Sequence, residues 1–203
     1  MPMLQASHPT LILASQSSAR AALLRGAGLC FETRPARVHE AATKAAAQAD
    51  GADAADAALL LAGLKAARIR DPDGLVIGAD QILVCEGVWF DKPATPADAR
   101  AHLQALRGRT HILETAVVCY RDGEEVWRHV AHPRLTMRAF SDAFLDAYIA
   151  AEGDTLLDTV GAYRLEGRGA QFFERVEGDH AAVLGLPLLP LLNFLRQHGV
   201  LLA

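Results

Sequence analysis

Cysteine is scarce in this 203-residue chain: Cys30, Cys85 and Cys119, an odd number with no CxxC spacing. That argues against a disulfide framework and against a structural zinc site. The three lie in apolar, strand-like stretches, where a buried free thiol is the expected state. An excess of positive charge is also missing. The formal net charge is -4, which argues against duplex nucleic-acid binding but leaves room for a small anion held by a few local cations. No uncharged run is long enough to span a bilayer; Leu184 to Leu192 is apolar but short, and Pro187 and Pro190 interrupt it. No basic region followed by a long apolar run opens the chain, so a cytoplasmic protein without a signal peptide or membrane partner is expected. None of the eight histidines has metal-ligand spacing. A GxSxG elbow, a Walker A loop and a GxGxxG fingerprint are all lacking, which removes several reaction classes.

What is present is a chain 51% hydrophobic, enough for one core or two small lobes around a cleft. No linker divides it, so residues 1–203 read as one folded unit. Thr10 to Ala14 is a short apolar run, read as a buried parallel strand. A serine cluster then caps a helix over Ala19 to Ala27. Cys30 to Arg34 reads as a second strand. Ala41 to Arg70, rich in alanine and leucine, predicts one or two helices broken near Asp50-Gly51, with Leu59, Leu60, Leu61, Leu64 and Ala67 as the apolar face. Leu75 to Ala79 is another buried strand with Asp80 at its end; Ile82 to Val84 stays extended and Val88 to Phe90 returns as a hairpin. Pro96 opens a helix to about Leu106. Ile112 to Tyr120 and Glu125 to His129 flank Asp122-Gly123, a strong hairpin signal. Leu135 to Arg138 adds a strand, and Ser141 caps a helix to about Ala151. Phe172 to Val176 and Ala181 to Leu184 read as a hairpin around Gly178-Asp179, and a last helix follows Pro187. The class is α/β with a mixed sheet.

Four segments have the composition of a ligand site. In Ser15-Gln16-Ser17-Ser18-Ala19-Arg20, a strand ends in hydroxyl residues and opens a helix. Backbone N–H groups, the helix dipole and Arg20 converge there on an anion; taken alone, the segment reads first as an ordinary N-cap with a surface arginine. Asp80, just past a buried strand, stands where α/β proteins place catalytic groups, and a carboxylate there holds Mg²⁺ or takes a proton from water. A turn-forming aspartate is the alternative. Lys92, in Asp91-Lys92-Pro93, is held by a proline-fixed turn as a point charge for phosphate, with a solvated surface lysine as the plainer reading; Gly108-Arg109-Thr110-His111 is a similar case. Glu166-Gly167-Arg168-Gly169 has a backbone permissive enough for close approach to a ligand, and Glu166 could accept hydrogen bonds from a base edge.

In order along the chain, LILASQSSAR, Val38-His39-Glu40, Leu61-Ala62-Gly63-Leu64-Lys65-Ala66, VIGADQ, DKP, GRTH, GAYRLEGRG, FFERVEG and VLGLPL resemble the motifs of the Maf family of nucleoside triphosphate pyrophosphatases. The resemblance runs from Thr10 to about Gly199. It implies a mixed twisted sheet flanked by helices, with two lobes around a central cleft. It also implies hydrolysis of a nucleoside triphosphate between the α- and β-phosphates, with a divalent metal, Mg²⁺ or Mn²⁺, as cofactor. The family is often dimeric, so a homodimer is an arrangement the resemblance allows. Carried over by motif, Asp80 becomes the general base or metal-orienting carboxylate. Glu40 closes the V-D-E motif, whose Asp is His39 here, and joins Asp80 as a metal ligand. Lys65, Lys92, Arg20, Ser15 and Ser17 become phosphate ligands.

Three positions bear on the base. The branch resembling dTTP/UTP pyrophosphatases has an arginine, a threonine and a glutamine where this chain has Ala19, Gln81 and Glu166. Gln81 and Glu166 instead match the branch acting on 7-methyl-GTP, and a carboxylate at Glu166 suits the N–H donors of a guanine edge. That branch carries a tryptophan at Ala19, where a ring could stack on a cationic methylated purine; alanine cannot. A methylated guanine or another modified nucleotide is therefore the expected substrate, with house-cleaning as the role. The alternatives are a dTTP/UTP pyrophosphatase and a weakly catalytic nucleotide-binding regulator of septum formation, the latter suggested by Ala19 and His39.

Overall fold

β1 (Thr10–Leu13) is a run of branched and leucine side chains, buried from Leu11 onward. The computed structural model describes residues 4–202, so residues 1–3 and 203 of the expected unit lie outside it. Ser17 caps α1 (Ser18–Gly26), its hydroxyl accepting from the Arg20 amide. β2 (Glu32–Thr33) is a short edge strand. The alanine-rich stretch divides at the anticipated place into α2 (Glu40–Ala49) and α3 (Ala54–Ala67). Gly51 turns the chain with φ of 77°, and Asp53 caps α3.

β3 (Gly74–Cys85) and β4 (Val88–Phe90) form a hairpin. α4 (Pro96–Leu106) opens on a capping box in which Thr95 and Asp98 satisfy each other's amides. β5 (Thr110–Arg121) and β6 (Glu124–Ala131) flank the Asp-Gly turn, where Asp122 and Gly123 take φ of 54° and 84°. β7 (Arg134–Met137) and α5 (Asp142–Glu152) follow. Three 3₁₀ segments, at Gly153–Asp158, Val160–Ala162 and Arg168–Phe172, lead into β8 (Phe173–Glu177). The short α6 (His180–Val183) and α7 (Leu188–Gln197) complete the described chain.

The sheet has the order β2-β1-β3-β5-β7-β8, with β4 added to β3 and β6 to β5. β1 is parallel to β2 and β3, and the other pairs are antiparallel. The mixed α/β class is thus observed. β3 and β5, paired from Leu75–Arg121 to Val84–Ile112, form a spine shared by two halves. On one half, α1 and α7 pack over Leu75, Ile77 and Ala79, while α3 packs over Val76 and Ile82 on the opposite face. On the other half, Leu83 and Cys85 join α4, α5, β7 and the 3₁₀ segments around Phe172.

Four sequence expectations are corrected. Cys30 is exposed, because the expected strand shrinks to the two-residue edge β2; Cys85 and Cys119 are buried free thiols. Ala181 to Leu184 is helical, because the Asp179 carboxylate accepts from the Ala181 amide and starts α6, while β8 pairs with β7 instead. The buried face of α3 is Ala57, Ala58, Leu61, Ala62 and Ala66, whereas Leu60 is exposed. Small residues win there because the helix lies so close to the sheet that a Cβ on Gly78 would come within 2.1 Å of the Ala62 carbonyl oxygen. Finally, Asp80 is not at a strand end: β3 continues five residues beyond it, to Cys85.

Candidate active site

What ends near Asp80 is the neighbouring strand. β1 covers the outer edge of β3 only from Gly74 to Ile77, and β4 covers it from Leu83 to Cys85. Residues 78–82 lie between these partners. Arg20 enters the gap and donates from Nη1 to the Ala79 carbonyl at 2.9 Å. It also donates from Nη1 to Ser15 Oγ at 3.1 Å and from Nε to the Gly185 carbonyl at 2.7 Å. Burial pulls its guanidinium below the usual value, with Asp80 and Glu40 offsetting part of that. Arg20 is therefore buried and tied to the protein, not the surface arginine of an ordinary N-cap. Among the described residues, its Nη2 has no protein acceptor. Ser17 serves as the N-cap, and Ser15 Oγ accepts from the Ser17 amide at 3.2 Å.

The gap opens into a cleft of about 850 Å³. Ser15, Ser17, Ala19, Arg20, Glu40, Lys65, Asp80, Gln81, Lys92 and Glu166 all line it, whereas Gly108-Arg109-Thr110-His111 lies away from it, with Arg109 paired to Glu86. Six basic and five acidic side chains line this cleft. At its floor, Lys65 of α3 bridges two carboxylates, with Nζ 2.5 Å from Asp80 Oδ1 and 2.7 Å from Glu40 Oε1. Asp80 is only 4% exposed, and its Oδ2 is buried without a partner. Such an orphaned buried oxygen is costly unless a ligand, ion or water completes it. Burial disfavours the charged form of Glu40, but Lys65, Lys44 and Lys92 outweigh it and hold the carboxyl below its usual range.

Side chains alternate along a strand, so Asp80 faces α3 and Gln81 faces the opposite side. There the Gln81 amide donates from Nε2 to Thr115 Oγ1 at 2.8 Å, with the carbonyls of Ala182 and Val183 at 3.0 and 3.3 Å. An amide nitrogen has two hydrogens, so this group is consumed by the protein and Oε1 is what Gln81 has left for a ligand. Glu166 is exposed on a tight loop. Gly169 closes that loop, because a Cβ there would lie 2.5 Å from the Arg164 carbonyl oxygen. Ala19 and Glu166 also border an apolar groove formed with Ala22, Leu23, Leu184 and Leu188. Trp89 is remote from this end: it pairs with Val84 and packs on the α3 side.

Sequence reading missed Lys44, Asp91, Thr159 and Arg164 of the cleft lining. Thr159 Oγ1 and Arg164 Nε are buried without partners. Arg164 lay inside the quoted GAYR motif and was legible in principle, whereas Lys44 sits in an alanine tract with no motif around it. Among the described residues, no group of three His, Cys, Asp or Glu side chains forms a metal cage. No helix of the described chain is long and apolar enough to cross a membrane.

A family model described as Maf-like protein matches residues 10–198. A nucleoside triphosphate pyrophosphatase of Granulibacter bethesdensis is 55% identical over 94% of this chain and 98% of the relative. One of Rhodospirillum rubrum is 51% identical over 96% and 98%. A 7-methyl-GTP pyrophosphatase of Rhizobium meliloti is 47% identical over 95% and 98%. With a family match over nearly its whole length and relatives about half identical across it, the chain belongs to the Maf-like protein family.

Proposed function

We propose that this protein is a hydrolase that cleaves a nucleoside triphosphate into the nucleoside monophosphate and pyrophosphate, the two halves acting as one unit around the cleft. The observation that carries the reading is the orphaned Asp80 Oδ2, buried beside Lys65 at the floor of a cleft that basic and acidic side chains line together. A carboxylate oxygen there orients a water molecule and takes its proton as the water oxygen attacks the α-phosphorus. The α–β bridging oxygen leaves with pyrophosphate, whose charge Lys65 and Lys92 neutralise, while Ser15 and Ser17 offer hydroxyl donors. Arg20 positions the Ser15 loop against β3 and keeps Nη2 for phosphate.

The donor set fits a magnesium or manganese ion. Such an ion takes one or two protein carboxylates and completes its shell with phosphate oxygens and water. Asp80 and Glu40 would supply those carboxylates, since Lys65 occupies only one oxygen of each. A divalent ion held there would supply charge neutralisation for the phosphate oxygens.

For the base, we assign recognition to Gln81, Glu166 and the space left by Ala19. Gln81 Oε1 and the Glu166 carboxylate are both acceptors, which suits the N1–H and N2–H₂ donors of guanine better than the acceptor-rich edge of a pyrimidine. A 7-methylated guanine nucleotide is the substrate this favours, as in the name of the Rhizobium relative. The test is a panel of canonical and methylated nucleoside triphosphates with Mg²⁺ or Mn²⁺, following monophosphate and pyrophosphate together. Fastest turnover is expected for methylated guanine nucleotides. Preference for dTTP and UTP overturns the base assignment, and no turnover by folded protein overturns the enzyme reading.

A further inference from the structure

α2 buries only two residues, Lys44 and Ala47. The rest of that helix is largely exposed, so packing alone does not demand a long side chain at position 44. Lysine is an expensive choice there, because an ammonium taken out of water needs a partner to offset its lost hydration. The partner is Asp91, whose Oδ1 lies 2.5 Å from Lys44 Nζ. The match is uneven: the Lys44 side chain is 11% exposed and that of Asp91 62%. A largely solvated carboxylate repays a buried cation only in part. Lys44 also lines the cleft, one helical turn beyond Glu40 and on the same face. Lys65 and Lys92 line the same cleft, so Lys44 adds a third ammonium group to its wall.

We propose that Lys44 is a further pyrophosphate-binding residue, and that Asp91 is a placeholder carboxylate which a phosphate group of the ligand displaces. For the identity of the ligand this rests on the pyrophosphatase reading above. A phosphate oxygen offers Lys44 a stronger anionic acceptor than the half-solvated Asp91 does. Asp91, released, is free to return to solvent at little cost because it is already mostly exposed. Exchange of one anion for the other then sets how tightly the leaving pyrophosphate is held. The competing role is a plain tether of α2 to the Asp91-Lys92-Pro93 turn.

The two roles separate in a binding experiment that needs no turnover. Magnesium pyrophosphate is titrated calorimetrically into the full chain and into Lys44→Gln, Lys44→Arg and Asp91→Asn. If Lys44 binds pyrophosphate, Lys44→Gln weakens binding about tenfold and Asp91→Asn, by removing the competitor, tightens it about threefold. Lys44→Arg stays close to the parent protein. A tether makes Lys44→Gln and Asp91→Asn shift affinity in the same direction, with matching losses of thermal stability; that result, or unchanged affinity in Lys44→Gln, overturns the proposal. If Lys44→Gln fails to fold, Asp91→Asn decides alone, since tighter binding supports the placeholder and weaker or unchanged binding refutes it. Triphosphate hydrolysis by the parent protein beside an unaltered pyrophosphate affinity in Lys44→Gln sinks only this assignment. Pyrophosphate binding with no hydrolysis sinks only the enzyme reading.

Discussion

Asp80 has one oxygen against Lys65 and one without a partner among the described residues, an asymmetry on which the proposed reaction rests. The paired oxygen fixes the carboxylate, and the unpaired one is available for water or metal. Replacing Asp80 by Asn keeps the shape but removes the charge and the basic oxygen. Lys65 retains Glu40 as a partner, so the variant still folds. Monophosphate formation is expected to fall by roughly 10²–10⁴-fold in kcat. Steady-state kinetics with pyrophosphate detection measures this, and near-parent turnover removes Asp80 from the chemistry. Gln81, one residue on, faces away from α3 and is held by Thr115 and the α6 carbonyls, so the two adjacent side chains project to opposite sides of β3.

At the scale of elements, the site depends on how closely α3 approaches β3. Lys65 reaches Asp80 because Gly78, two residues earlier on the same face of β3, has no side chain to hold the helix off. A Cβ at 78 would meet the Ala62 carbonyl oxygen at 2.1 Å and Ala66 Cβ at 3.0 Å. Backbone cannot yield as a flexible side chain does. Gly78→Ala is therefore expected to cost about 2–4 kcal/mol, in the upper range of overpacking. It also displaces Lys65 from Asp80, so activity falls further than stability alone explains. Urea unfolding and kinetics on the same preparation test both effects; a variant with parental stability and kcat refutes the close-packing account.

At the scale of the whole molecule, the cleft half built around Phe172 encloses a histidine. His111 is fully buried, its Nε2 lies 2.7 Å from the Tyr163 hydroxyl, and its Nδ1 has no partner. Burial lowers its pKa from 6.5 to about 4. Because the folded pKa is the lower one, the unfolded chain binds the extra proton between those values. This histidine's contribution is therefore intact above pH 6.5 and is lost as pH falls toward 4. The fall from 6.5 to about 4 corresponds to roughly 3 kcal/mol once both states are protonated. Stability against urea should drop more steeply over this window in the parent than in His111→Phe, whatever the variant's stability at pH 7. Equal pH slopes would dismiss the assignment.

Most elements, and the ten candidate residues that line the cleft, were legible in the chain, because short apolar runs, caps and Asp-Gly turns are local signals. Their ordered motifs carried the family, and so the reaction class, without coordinates. What sequence could not decide was anything set by which strand stops beside which. Asp80 looked terminal because the apolar run pauses there, yet the open edge at residues 78–82 exists because β1 ends early and β4 starts late. Taken locally, Arg20 reads as a surface arginine beside an ordinary N-cap; tertiary packing buries it by supplying the Gly185 and Ala79 carbonyls from distant segments. Lys44 had no motif, since its meaning comes from Asp91, 47 residues away. Local sequence determines which groups are available and roughly where each element begins; long-range packing decides which of them lose water together, and burial beside charge is what turns ordinary residues into a site.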